Sequence, residues 1–113
     1  LIDRFTDSTI AYQHYGMGID LNFINFINRK ILKNFKITFT FLHTVNLYNL
    51  NKRLKKRKVL NRYDKFEDKF YKKVQSGFKK LSKNKSKYLT INSNESINNN
   101  KGIILKKIKA LIN

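Results

Sequence analysis

Between Phe23 and Phe41 the apolar residues change their spacing from a helical period to a period of two, and that change limits what the chain can fold into. Phe23, Ile24, Ile27 and Ile31 share one helical face, and Asp20 stands where a helix N-cap belongs. Asn22, Asn25, Asn28, Arg29 and Lys33 fill the other side. From Phe35 the pattern alternates: Phe35, Ile37, Phe39 and Phe41 interleave with Lys36, Thr38 and Thr40, which predicts a half-buried strand. Val45 and Leu47 extend the alternation and predict a second strand to about Leu50. A helix followed by strands places the chain in the α+β class.

Charge divides the 113 residues into three parts. Residues 1–50 carry a net charge of +2, residues 51–87 carry +13 and residues 88–113 carry +3. The expected organisation is a small α+β unit over 1–50, a basic helical extension over 51–87, and a polar loop with a short C-terminal helix over 88–113. Within the extension, Phe66, Phe70, Val74 and Phe78 recur every fourth residue among lysines, an amphipathic helix weakened locally by Gly77. Asn51 is placed to cap a preceding helical segment carrying Leu54 and Leu60. Residues 92–100 are low in complexity and read as loop, and Ile104, Ile108 and Leu111 share one side of a last helix from Gly102 to Ile112.

A net charge of +18 calls for a polyanionic partner. The run Lys52, Arg53, Lys55, Lys56, Arg57 and Lys58, with Arg62, is dense enough to neutralise nucleic-acid phosphates with release of counterions. Lys72, Lys73, Lys79, Lys80, Lys83, Lys85 and Lys87 extend the RNA-binding set, and Tyr48, Tyr63 and Tyr71 are candidates for stacking on unpaired bases. The alternating face of Phe35, Ile37, Phe39 and Phe41 is the expected docking surface for a partner polypeptide.

Evidence for chemistry is thin by comparison. Cysteine is absent, which excludes thiolate catalysis and Cys-ligated metals. His14 and His43 have no metal-ligand spacing around them, and no Ser-His-acid set or P-loop signature occurs. Gly16-Met17-Gly18 reads as a turn before the helix. The expectation is a protein without an active site, metal, cofactor or small-molecule substrate. No apolar run is long enough to span a bilayer. The 20 Lys, 15 Asn and 13 Ile suit an A/T-biased genome, as of an organelle.

Ile2-Asp3-Arg4-Phe5-Thr6-Asp7-Ser8-Thr9, the Asp20–Ile31 stretch and Lys36-Ile37-Thr38-Phe39-Thr40-Phe41 together resemble the N-terminal part of the universal third protein of the small ribosomal subunit, in its mitochondrial form. The resemblance covers residues 2 to about 42. It implies a structural constituent of an organellar small subunit in the mitochondrial matrix, bound to rRNA in the head. Its partners would be neighbouring ribosomal proteins, including a separately encoded C-terminal fragment. Two alternatives stand beside it. Tyr15-Gly16-Met17-Gly18 is similar to the Y-G-I-G turn of the small-subunit head protein with a helix–two-turn–helix motif, and the basic amphipathic helix also suits an accessory subunit of an organellar membrane complex.

Overall fold

A computed structural model describes residues 1–57, 59 and 67–113. It is α+β: α1 (Thr6–Thr9) runs into a π-helix (Ile10–Gly16), followed by α2 (Leu21–Ile31), β1 (Thr40–Thr44), α3 (Leu47–Lys55), α4 (Asp68–Leu81), β2 (Tyr88–Asn92) and α5 (Ile97–Ile112). The two strands are parallel, with Thr40 opposite Tyr88 and Thr44 opposite Asn92. Parallel strands cannot be joined by a tight turn, and here α3 and α4 lie on the connection between them.

Local chemistry sets most of the boundaries. The Asp20 carboxylate accepts from the Phe23 amide at 2.9 Å and starts α2 as expected. Asn46 caps α3 in the same way, accepting from Asn49 at 2.8 Å, and Ser96 caps α5 through Asn99 at 3.2 Å. The π-helix shows its wider turn in the Met17 amide bonded to the Tyr12 carbonyl, five residues back, at 3.0 Å. Gly16-Met17-Gly18 is the turn expected, and Gly18 takes φ +80 there, a backbone angle that suits glycine.

Three expectations need correction. Residues 45–50 are not a second strand: the Asn46 cap starts α3 there, so the apolar alternation of Val45 and Leu47 is overridden by cap chemistry, and Asn46 rather than Asn51 begins that helix. The strand predicted over residues 35–41 forms only at Thr40–Thr44, because a strand exists where it has a partner, and β2 pairs with residues 40–44. That partner went unpredicted, and part of the loop expected over 92–100 belongs to α5, which begins at Ile97.

The core lies between the π-helix and α4 and beneath the strand pair. Ala11, Ile24, Leu42, Tyr71, Val74 and Ile91 are buried. Glycines permit the closest approach: a Cβ on Gly77 would lie 2.5 Å from the Tyr15 ring, and one on Gly16 would lie 2.7 Å from Phe70. Tyr12 completes the packing, with its ring 6.0 Å from Phe70 and 6.3 Å from Phe78. On α2 the buried residues are Ile24 and Asn28, whereas Phe23, Phe26, Ile27 and Ile31 are exposed. The apolar face expected of that helix therefore lies mostly in solvent.

Candidate functional site

The beginning of the chain builds a shallow cleft of mixed polar and apolar lining. Arg4 has φ +58, and among the described residues it is the one non-glycine residue with positive φ. Such a backbone costs energy in an L-residue and persists where its surroundings enforce it. Two anchors lie next to it. Thr6 is buried, and Asp7 accepts a 2.7 Å hydrogen bond from the Tyr88 hydroxyl, fastening α1 to β2 across the length of the chain. Burial, then the hydrogen bond and the negative charge of Asp7, push the Tyr88 phenol well above its ordinary pKa, so it remains a donor.

Held this way, the Arg4 guanidinium lies over the Tyr12 ring, 5.7 Å from its centroid, and Nη1 donates to the Tyr12 hydroxyl at 3.3 Å. Around them opens a cleft of about 420 Å³ lined by Arg4, Phe5, Thr6, Ser8, Thr9, Tyr12, Gln13, Asn28 and Ile31. The lining joins one cation to three hydroxyl side chains beside it, two amides, a phenol and an apolar wall of Phe5 and Ile31. A forked guanidinium suits a phosphate, and amides with an aromatic ring suit a nucleobase edge and face.

The residues singled out from sequence are dispersed. Lys52, Arg53 and Lys55 lie on the second half of α3, with Lys56 and Arg57 just beyond it. Arg53 is engaged within the chain, donating to the Ser93 carbonyl. Lys72, Lys73, Lys79 and Lys80 are exposed on α4, and Lys83, Lys85 and Lys87 are exposed in the turn that follows. Tyr48 is exposed, whereas Tyr71 is buried with its ring 5.9 Å from Phe70. Lys58, Arg62 and Tyr63, and Leu60 and Phe66 of the helical patterns, lie outside the described residues. Of the docking set, Phe35 is exposed with its ring against Phe5, and Phe39 packs on Phe41 beneath the Lys107 ammonium. None of these lines the cleft. The sequence reading missed Arg4, Tyr12, Gln13 and Asn28 as site residues. The available signal was an isolated Arg beside three hydroxyl residues in the nearly neutral part of the chain.

A parallel strand pair with a crossover of helices defines an α+β protein, with a shallow cleft beside its first helix. The family model for thymidylate kinase matches residues 1–104, and the chain belongs to the thymidylate kinase family. It is similar to the thymidylate kinase of Sulfurihydrogenibium sp. (strain YO3AOP1), 34% identical over 110 residues that cover 96% of this chain and 53% of that protein. Thymidylate kinases of Trichodesmium erythraeum (strain IMS101) and Wolbachia pipientis wMel are 36% and 37% identical over 83% and 73% of this chain, and 42% and 40% of their own lengths. The chain thus spans about half the length of the curated relatives it matches.

Family membership overturns the ribosomal resemblance. With it go the structural, non-enzymatic role in an organellar small subunit, the rRNA and ribosomal-protein partners, and the expected lack of a small-molecule substrate. The physical reason is that Asp, Ser and Thr before an apolar helix are common helix-start residues. A short match of that kind followed by a strand does not distinguish one α+β family from another. The charge is equally uninformative, because a positive surface reports attraction to anions and not which anion. Among the described residues no helix is long and apolar enough to cross a membrane.

Proposed function

We propose that the chain carries the thymidylate-binding side of a thymidylate kinase. The observation that carries this reading is the placement of Arg4, held at positive φ with its guanidinium over Tyr12 at a cleft of about 420 Å³. The names of the family and of its curated relatives supply the substrate.

In phosphoryl transfer to thymidylate, an oxygen of the 5′-monophosphate attacks the terminal phosphorus of a nucleoside triphosphate. A new P–O bond forms as the bond to the bridging oxygen breaks, and thymidine diphosphate and a nucleoside diphosphate leave. Little covalent chemistry is asked of the protein; it positions the acceptor and neutralises charge. Arg4 binds the acceptor phosphate, and Ser8 and Thr9 add hydroxyl donors beside it. Phe5 and Ile31 offer the apolar wall against which thymine rests, and Gln13 and Asn28 address its polar edge. The Tyr12 phenol keeps the guanidinium in place by accepting from Nη1. Because the chain spans about half of its relatives, only this acceptor side is assigned to it.

Calorimetric titration tests the assignment. Thymidylate should bind saturably, thymidine should bind at least about tenfold more weakly for want of its phosphate, and Arg4→Gln should remove that difference. Equal affinity for thymidylate and thymidine in the unaltered chain would overturn the proposal.

A further inference from the structure

A second, shallow groove lies along α4 beside Tyr15. Lys69, Lys72, Lys73, Ser76 and Lys80 line it. Their spacing puts all five on one stripe of α4, away from the buried Tyr71 and Val74. The Lys80 ammonium lies 5.1 Å from the centroid of the Tyr15 ring, and Gly77 approaches the root of the same side chain closely. From Lys69 to Lys80 the stripe runs roughly 16 Å at the usual helical rise.

We propose that this groove is a second anion site, separate from the Arg4 cleft, which takes a condensed phosphate chain. Four ammonium groups along one line match an elongated polyanion better than a single compact one. They are point charges that bind phosphate oxygens without demanding one fixed geometry, which suits a chain of phosphates whose oxygens differ in orientation. The Ser76 hydroxyl adds a neutral donor midway along the stripe. Tyr15 supplies the one aromatic surface, and no apolar channel accompanies the lysines to receive acyl chains. The chemistry is shared by inorganic polyphosphate and by the triphosphate of a nucleotide, which differ in whether a base is present to meet Tyr15.

The test is calorimetric titration of the full chain with inorganic tripolyphosphate, ATP and a short single-stranded oligonucleotide, at about 0.15 M ionic strength to suppress diffuse attraction. One chain carries Lys69→Gln, Lys72→Gln, Lys73→Gln and Lys80→Gln. A charge-matched control carries Lys101→Gln, Lys106→Gln, Lys107→Gln and Lys109→Gln on α5. Tripolyphosphate should bind once per chain. The α4 substitutions should weaken it by about tenfold or more, since each contact charge is worth a factor of roughly five in water before screening, and the α5 set should change it less than about twofold. Ser76→Glu, which puts a carboxylate amid the lysines, should reproduce the loss without removing a cation. Equal affinity for tripolyphosphate and ATP assigns the site to free polyphosphate, and tighter ATP binding that falls with Tyr15→Leu assigns it to a nucleotide. Equal weakening by the α4 and α5 sets, tighter binding of the oligonucleotide than of tripolyphosphate, or no binding overturns the proposal. Arg4→Gln, which tests the thymidylate site, should leave tripolyphosphate binding within about twofold.

Discussion

Arg4 and Gly77 show how far single residues carry this fold and its site. The positive φ of Arg4 is a cost retained beside the cleft, so backbone and side chain can be tested separately. Arg4→Gly and Arg4→Ala both remove the guanidinium, but only glycine accepts that backbone freely. The Gly variant should be more stable than the Ala variant by about 1 kcal/mol in urea unfolding, with thymidylate binding weakened equally in both. Gly77 makes the opposite case to the usual cost of glycine in a helix. An added Cβ would meet the root of the Tyr15 side chain, its Cβ and Cγ, within 2.8 Å, and that end cannot swing away. Gly77→Ala should therefore destabilise by about 1–3 kcal/mol through overpacking, while Gly102→Ala, which meets nothing within 4 Å, should stabilise by up to about 1 kcal/mol. Thermal melts of the two variants moving in the same direction would contradict the packing of α4 against the π-helix. Sequence shows Gly77 only as a local weakness. Its role depends on Tyr15, which no local pattern connects to it.

At the scale of elements, the Asp20 cap and the α4 period were legible, the caps of α3 and α5 were not, and neither was strand pairing. Asp20 announced α2, and the fourfold apolar recurrence announced α4, because both signals sit within a turn or two of the structure they specify. The strand pair was only half visible. Tyr88–Asn92 is a five-residue strand with no alternating run around it to extend the signal, and its register against Thr40–Thr44 comes from a crossover no local signal encodes. The cleft residues were hidden for the same reason, since Asn28 reads as an exposed polar position of α2 yet is buried facing α1 residues. The Tyr88–Asp7 hydrogen bond ties these distant elements together, and it gives the fold a pH signature. Tyr88 has its folded pKa raised above the unfolded value near 10, so its contribution is complete below pH ~10 and is lost as pH rises above it. Tyr88→Phe should flatten the alkaline decline of stability between roughly pH 10 and 11.5 in denaturant titrations. An unchanged slope would show that the bond does not link α1 to β2 in solution.

The whole molecule combines a modest core with a large exposed apolar surface. Phe23 and Phe26 are more than half exposed, as are Ile31 and Phe35 nearby, and the chain spans about half the length of its relatives. Phe23→Lys with Phe26→Lys should change unfolding free energy by no more than about 0.5 kcal/mol, as expected for exposed positions, while raising the concentration at which the chain stays monodisperse by light scattering. A loss of several kcal/mol would mean that this face is buried. The high net charge, the most conspicuous property of the sequence, pointed to ribosomal RNA, which family membership overturns. The cleft depends instead on one arginine and a set of uncharged side chains. The claim that this cleft receives thymidylate is tested most directly by mapping amide chemical shifts during thymidylate titration. The largest changes should fall at Arg4–Gln13 and at Asn28, should saturate, and should need at least about tenfold more thymidylate to do so in Arg4→Gln. Perturbations confined to α4 and the lysines of α5, or none at millimolar thymidylate, would contradict it.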